Sequence, residues 1–357
     1  MWVQLFKRGS GVTLFLILTH VLWAQDVEIA LHATETIPLP NQRAGFIISP
    51  IKCDEDRNIF IRSPDNAGLD GGLILKISPN GDKETRFESA SVPELLAPRL
   101  IDFSPAGSDG GLYALVKAEK ENENQYYIVR FDSDGQYQSK YSVPSPFHVQ
   151  RIVAFPNGDF FVSGRKLIKG TSQSSINSDP FVGIFDAGRQ LVREVHLKGD
   201  VRPNSKQRKE SARKFHLATP PSDREYESAL TMSSAMVGGD GNVYLTRRTP
   251  TGPVFAISAG GRLLRTIHLE PPQGAVLHSV QVGSRDLAAE YRTFASDRTT
   301  VLAMVLEVID LRTGKRTAKF QAPTSFGSFA CHPGGREFVF LHTSDDEKLN
   351  IVYARPE

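Results

Sequence analysis

The sequence lacks the short motifs by which many enzymes are recognised. It contains no Gly-x-Ser-x-Gly elbow, no His-Glu-x-x-His pair, no phosphate-binding loop and no dinucleotide-binding glycine motif. These absences exclude the sites that depend on those motifs, but they do not exclude an enzyme whose site is assembled from distant strands. Cysteine is also scarce. Cys53 and Cys331 are too few for a disulfide-rich scaffold, although a single bond between them stays open.

Long apolar runs are scarce as well, and the one at the N-terminus is short. Lys7 and Arg8 precede an apolar run of about a dozen residues, which falls short of the roughly 20 that span a bilayer. No cysteine follows the run to carry a lipid. We therefore predict a signal peptide over residues 1–24 and a secreted or periplasmic mature chain with no membrane span. An uncleaved N-terminal anchor is the alternative.

An excess of charge of one sign is also missing. The formal charge of +2 falls to zero when residues 1–24 are removed, because they contain Lys7 and Arg8 and no acidic residue. A neutral chain offers no electrostatic reason to bind nucleic acid. Hydrophobic residues make up 40% and charged residues 23% of the chain, a composition that can bury a sizeable core.

Regular repetition is what the sequence does have. The stretch from Met232 to Leu269 contains four short β-rich runs, SSAMV, VYLTRR, VFAIS and LLRTIHL, and the breaks between them carry Gly, Pro, Asn or Asp. Such residues tolerate or preset the dihedral angles of turns. Four strands of this length form one antiparallel sheet, which needs neighbouring copies to bury both of its faces.

Five hairpins along the chain share one pattern: an apolar strand, a turn that contains glycine, and a strand in which polar and apolar residues alternate. Their turn glycines are separated by 54, 53, 73 and 53 residues, and they are Gly81, Gly135, Gly188, Gly261 and Gly314. A period of about 50 residues is typical of the blades of a β-propeller. The long interval indicates a basic insertion, residues 199–225, between blades 3 and 4. We expect this insertion to be either a solvated loop or a lid over one face of the ring.

The two ends of the chain fit one shared blade. The final run, LNIVYARPE, resembles a third strand with no fourth after it, whereas residues 27–40 carry the proline-terminated pattern of a fourth strand. We therefore predict a single all-β domain over residues 25–357. It would be a six-bladed β-propeller with four-stranded antiparallel blades, closed by the N-terminal strand pairing in the C-terminal blade. Blade 5 fits least well, because RDLAAEYRTFASDRTT does not divide cleanly into a strand and a tight turn.

Four segments carry a resemblance to a known group of proteins. PNGDFFV (156–162), GGDGNVYL (238–245), SPNGDKETRF (78–87) and FDSDGQYQ (131–138) resemble blade motifs of the TolB-like, NHL-repeat and SMP-30 gluconolactonase-like six-bladed propellers. The resemblance covers nearly all of the mature chain and implies the propeller fold. Because these degenerate motifs specify a blade and not a chemistry, the resemblance implies no particular reaction.

In such a ring the first strand of each blade lines the axis, so polar groups near its start are candidates for a ligand pocket. These are Arg99, Asp102, His148, Arg151, Ser234, His278 and Gln281. Gluconolactonase-like members hold a divalent cation on the axis with carboxylate and amide oxygens, but here only Asp102 has that character. The two histidines could be ligands of zinc, yet a zinc site needs further groups. We predict no bound cofactor, with Ca or Zn as the alternative.

Arg99 and Arg151, on adjacent blades, could instead form a fork for a carboxylate or phosphate, or could pair with a residue such as Asp102. The sequence therefore predicts an exported, monomeric propeller that binds a small-molecule ligand or a protein partner at its axial face, and it favours such a binding module over an enzyme. The alternative is an extracytoplasmic metal-dependent hydrolase of the lactonase type, or a lyase, with an axial site.

Overall fold

The structure is a computed structural model, and it describes residues 28–43, 48–65, 68–106, 109–120, 123–144, 146–167, 178–188, 190–197, 205–214, 230, 233–247, 252–297, 299–346 and 348–357. The predicted signal peptide and most of the insertion at 199–225 lie outside these residues. No helix within them is long and apolar enough to cross a membrane.

Almost all of the described chain is β-structure. The first half contains β1 (Ile29–Arg43), β2 (Ile48–Cys53), β3 (Ile59–Asp65), β4 (Gly68–Ile77), β5 (Glu84–Glu88), β6 (Leu96–Pro105), β7 (Leu112–Lys120), β8 (Glu123–Phe131), β9 (Tyr137–Ser142), β10 (Phe147–Ala154), β11 (Phe160–Leu167), β12 (Ser178–Phe185) and β13 (Leu191–Glu194). The second half contains the helix α1 (Ser205–Lys214), then β14 (Ser234–Val237), β15 (Val243–Thr246), β16 (Pro253–Ile257), β17 (Leu263–His268), β18 (Val276–Val282), β19 (Asp286–Phe294), β20 (Val301–Asp310), β21 (Arg316–Ala322), β22 (Ser328–Gly334), β23 (Glu337–Thr343) and β24 (Lys348–Pro356).

Each sheet is built mainly from strands that follow one another in the chain. Four sheets have four antiparallel strands each: β2–β5, β6–β9, β10–β13 and β14–β17. The other described strands form one eight-stranded sheet in the order β18, β19, β20, β21, β1, β24, β23, β22. The first strands β2, β6, β10, β14, β18 and β22 contact one another in this order, and β22 contacts β2. This closed cycle makes the arrangement an all-β structure of propeller type.

The N-terminal strand β1 joins the two ends of the chain. It pairs antiparallel with β24 from Leu31 opposite Pro356 to Arg43 opposite Lys348, and it makes a short parallel pairing with β21 at Ile29 and Ala30. Leu31 and Leu39 lie on its buried side. β1 therefore covers the edge of β24, as the ring-closure expectation requires, and links the β18–β21 and β22–β24 halves of the large sheet.

The hydrophobic core lies between neighbouring sheets, because the strands alternate and each sheet buries both faces. Phe161 and Val182 of the third sheet, for example, pack with Leu245 and Phe255 of the fourth. Burial of each such side chain stabilises the fold by about 1.5–3 kcal/mol. Four predicted turn glycines have a left-handed φ, namely Gly81, Gly135, Gly261 and Gly314. At Gly135 a Cβ would lie 2.1 Å from the Arg86 carbonyl oxygen, so only glycine fits.

Cys53 and Cys331 form a disulfide that joins β2 to β22, with 5.9 Å between the Cα atoms. The bond links two strands that are 278 residues apart in sequence but adjacent in the ring. Adjacent first strands are close enough at this point for the standard Cα separation of a disulfide. The bond that the sequence left open is therefore present.

Two segments differ from the sequence-based expectation. RDLAAEYRTF, which did not divide cleanly, contains the regular nine-residue strand β19, and its charged Glu290 and Arg292 pair with each other. Within the basic insertion, Ser205–Lys214 forms the helix α1 where we expected irregular backbone. Lys, Gln, Arg, Glu and Ala have high helix propensity, which accounts for a helix in this charged segment.

Tyr291 provides a test of the core between the fourth and fifth sheets. Its side chain is buried, its hydroxyl has no hydrogen-bond partner among the described residues, and burial raises its pKa well above the usual range. We expect Tyr291→Phe to leave the free energy of unfolding unchanged or raise it by up to about 1 kcal/mol. The matched control is Tyr244→Phe in the same cluster, because the Tyr244 hydroxyl donates to Asp240 Oδ2 over 2.8 Å. The control should lose about 1 kcal/mol in urea unfolding. An equal loss in both variants would contradict this account.

Candidate functional site

A cavity of about 220 Å³ lies where the first strands meet. Its walls come from β2, β10, β14, β18 and β22, with further side chains from the adjacent strands β15 and β19. We call it the axial cavity and define it by Pro50, Arg151, Ser234, His278, Gln281 and Ser328. Because five of the six first strands contribute to it, this cavity corresponds to the central pocket that the sequence predicts.

The seven residues predicted for this pocket fall into three groups. Four of them line the axial cavity: Arg151, Ser234, His278 and Gln281. Asp102 is buried in the ring beside Lys52. Arg99 is exposed, and the ring of His148 lies 5.6 Å from that of Tyr126 in the second sheet. Neither Arg99 nor His148 is among the residues that line the cavity.

Bulges in the first strands explain which side chains reach the centre. The pairing register shifts between Leu100 and Asp102 in β6, between Val149 and Arg151 in β10, and between Leu277 and Ser279 in β18. A bulge changes the direction in which the following side chains point. Simple alternation along these strands therefore does not place the polar residues correctly.

Asp102 is held by an ammonium group. Lys52 Nζ lies 3.1 Å from Asp102 Oδ1 and 3.2 Å from Oδ2, and it also donates to the carbonyl oxygens of Phe103 and Ile152. The Ile152 amide donates to Asp102 Oδ2 over 2.9 Å. Carboxylate and carbonyl oxygens are the ligands of a hard cation such as Ca²⁺. Here the Lys52 ammonium lies among these oxygens, at the position that a divalent cation would take under the alternative of an axial metal.

No polar axial residue was predicted in the first blade, and Lys52 of β2 is a correction to that prediction. Burial lowers the pKa of Lys52, Asp102 acts in the opposite direction, and Arg151 lowers it further. Burial likewise lowers the pKa of Arg151, Asp102 raises it, and Arg247 lowers it. Arg247 is buried and donates to the hydroxyls of Ser163 and Ser233. These cations therefore lie close enough to disfavour one another's charge.

A second polar cluster lies on β18 and β19. Glu290 is fully buried; its Oε2 accepts from Ser279 Oγ over 2.6 Å and faces His278 Nδ1 at 3.0 Å, while its Oε1 accepts from Arg292 Nε over 2.6 Å. Burial alone would raise the pKa of Glu290, but His278, Arg292 and Ser279 together hold it below its usual value. The carboxylate is therefore ionised and acts only as an acceptor.

Sequence reasoning missed Lys52, Arg247, Glu290 and Arg292. The signal for Glu290 and Arg292 was that they form a charged pair inside the run LAAEYRTF, whose other residues suit a buried strand. A buried charge requires a partner, so such a pair indicates a local ionic cluster. Lys52 and Arg247 gave no comparable signal, because Asp102, the partner of Lys52, and Ser163, a partner of Arg247, come from other sheets. Groups of three or more His, Cys, Asp or Glu that could hold a metal ion are absent from the described part of the chain.

The fold and the site define an all-β protein of propeller type with a cavity of mixed polar and apolar lining where its first strands meet. No family model and no curated protein matches the chain. Among solved structures it is similar to the PQQ-bound aldose sugar dehydrogenase of Streptomyces coelicolor, with 11% identity, a TM-score of 0.46, and coverage of 92% of this chain and 98% of that one.

Two further solved structures are similar at the same level. Hydrazine synthase of Kuenenia stuttgartiensis has 13% identity and a TM-score of 0.44, with coverage of 83% of this chain and 74% of that one. TolB of Acinetobacter baumannii has 11% identity and a TM-score of 0.42, with coverage of 84% and 64%. These values carry no inference about ligand or reaction.

Proposed function

We propose that the protein is an exported six-bladed β-propeller that binds a small organic anion in its axial cavity. The observation that carries the proposal is the set of cationic side chains that line the cavity or lie directly behind its wall. Among the described residues, the cationic side chains at this wall are Lys52, Arg151, Arg247 and Arg292. The carboxylates beside them are Asp102 and Glu290. Cations grouped at a recessed site concentrate anions there.

The size and lining of the cavity support a small ligand with a carboxylate or phosphate group. About 220 Å³ is below the range of about 300–1,000 Å³ that suits drug-sized molecules. Arg151 donates to the carbonyl oxygens of Ser233 and Gln150, so it supports anion binding through the positive charge that it holds at the cavity wall. Ser234, Gln281 and His278 add polar groups for the rest of the ligand.

The pairing of β1 supports six blades. β1 pairs with β24 along nearly its whole length, but with β21 at only Ile29 and Ala30. If the ring is divided at this short contact, the eight-stranded sheet becomes two four-stranded blades, β18–β21 and β22–β24 with β1. This division gives each of the six first strands a blade of its own.

The disulfide between Cys53 and Cys331 supports an extracytoplasmic location, because such bonds persist in oxidising compartments. It agrees with the signal peptide predicted over residues 1–24. Gel filtration of the mature chain would test the accompanying expectation of a monomer.

Calorimetric titration tests the proposal directly. Acetate, succinate and phosphate are titrated into the mature protein, with acetamide as the uncharged counterpart of acetate. We expect at least one anion to bind and acetamide not to bind. Arg151→Met should weaken the anion's affinity about tenfold or more, equivalent to about 1.4 kcal/mol. The control is Arg262→Met, an exposed arginine in the turn before β17, which should bind as the unmodified protein does. Failure of all three anions to bind, or equal affinity in Arg151→Met, would contradict the proposal.

A further inference from the structure

His278 is the one histidine among the described residues that line the axial cavity. Its side chain is 35% exposed and lines the cavity, and its Nδ1 lies 3.0 Å from Glu290 Oε2. Because an ionised carboxylate only accepts, Nδ1 carries the hydrogen of the neutral ring and Nε2 carries the lone pair. Within the described residues no hydrogen bond reaches Nε2.

Glu290 is itself held firmly. Ser279 donates to the same oxygen as His278, Arg292 donates to the other oxygen, and Arg292 also donates to the Gly327 carbonyl oxygen over 3.1 Å. A buried carboxylate fixed in this way orients the imidazole and stabilises its protonated form, as it does for acid–base histidines in general. The arrangement is therefore suited to an acid–base role for His278.

We propose that His278 Nε2 is the acid–base group of the axial cavity and that it exchanges a proton with a bound small organic acid. The carboxyl O–H bond of the acid breaks, an N–H bond forms at Nε2, and the carboxylate and imidazolium are left side by side. Glu290 then faces the opposite edge of the imidazolium. The proposal rests on the anion-binding function above and adds the group that reacts with the ligand.

The charged groups that face His278 fit this assignment. Glu290 and Arg292 come from β19 and Arg151 from β10, while the described residues that β2, β14 and β22 contribute to the cavity wall are uncharged. One carboxylate hydrogen-bonds to the imidazole, and the guanidinium groups of Arg151 and Arg292, which donate to neighbouring groups of the propeller ring, add positive charge at the cavity wall. Binding of the free carboxylate should therefore favour the protonated form of His278, because opposite charges attract.

Alkylation by iodoacetate tests the proposal, because this reagent is itself a small organic acid. The Nε2 lone pair attacks the methylene carbon, a C–N bond forms, the C–I bond breaks and iodide leaves. We expect mass spectrometry to find His278 carboxymethylated at Nε2 about tenfold or more faster than with the uncharged iodoacetamide, because the cations concentrate the anion. Acidification should slow the reaction, because a protonated ring has no lone pair.

His148 is an internal control in the same sample. It is half-buried, and burial followed by Arg165 and Lys117 lowers its pKa, but no carboxylate hydrogen-bonds to it among the described residues. Glu290→Gln should slow alkylation of His278 and leave His148 unchanged. The two reagents are compared on the protein without substitutions, so this comparison does not depend on whether a variant folds.

The outcomes separate this proposal from the proposed function. If neither reagent modifies His278, or if both modify it at Nδ1, the acid–base assignment is overturned even where anions bind in calorimetry. If iodoacetamide modifies Nε2 as fast as iodoacetate does, the result supports His278 as the reactive group but contradicts the proposed selectivity of the cavity for anions. Preferential carboxymethylation at Nε2 that depends on Glu290 supports both.

Discussion

Replacement of Lys52 by Met should lower the free energy of unfolding by about 3–5 kcal/mol, because it leaves the Asp102 carboxylate buried without its cation. The ammonium donates to Asp102 Oδ2 and to the carbonyl oxygens of Phe103 and Ile152, so these three acceptors lose a donor at once, and Oδ1 loses the cation that lies 3.1 Å from it. A loss of this size is a large share of the stability of a typical domain, about 5–15 kcal/mol. Urea unfolding followed by circular dichroism measures it.

The double variant Lys52→Met with Asp102→Asn is the matched control. Burial lowers the pKa of Lys52 despite Asp102, so placing this pair in the ring is itself costly. The penalty in the single variant is therefore that of one unpaired charge, not the loss of a strong attraction. Asn keeps an acceptor for the Ile152 amide, and the double variant should recover at least half of the loss. A single variant that loses less than about 1 kcal/mol would contradict this account.

Deletion of residues 28–40 should remove most of the stability of the whole ring. These residues include nearly all of β1's pairing with β24, and they bury Leu31 and Leu39 in two separate clusters. Their loss would expose an unpaired edge of β24. We expect an unfolding midpoint well below that of the full mature chain, with rapid proteolysis under native conditions, and partial rescue by a synthetic peptide of residues 28–43.

Point variants in β1 test whether the deletion acts through the loss of the buried side chains of this strand. Leu31→Ala and Leu39→Ala should each cost about 2–5 kcal/mol, because both side chains are buried. Glu35→Ala, on the exposed side of β1, should cost less than about 0.5 kcal/mol. A truncated chain as stable as the full one would show that β1 does not close the ring.

The repeating sheets could be predicted from the sequence because they depend on local signals. Turn glycines such as Gly135 and Gly261, and the apolar runs before them, mark hairpins independently of the rest of the chain. The same is true of β1, whose proline-terminated pattern matches that of other fourth strands. These features gave the positions of the sheets, including the one that holds both chain ends.

The axial site could be predicted only in part, because it depends on register and on contacts between sheets. Bulges before Asp102 and Arg151 change which side chains point to the centre. The partner of Asp102 comes from a strand 50 residues earlier, and nothing in the sequence around Lys52 marks it as buried. Arg99 and His148 show the converse, since their strand positions were correct but the cavity wall does not include them.

A crystal of the mature protein grown in the presence of bromide tests the central claim, that the axial cavity is an anion site. Anomalous scattering should locate a bromide ion in the cavity beside Arg151 and His278, with the Lys52 ammonium still on Asp102. The opposite result would be a cavity without bromide while surface sites are occupied, or a calcium or zinc ion bound to Asp102 with Lys52 displaced. Either finding would contradict the account.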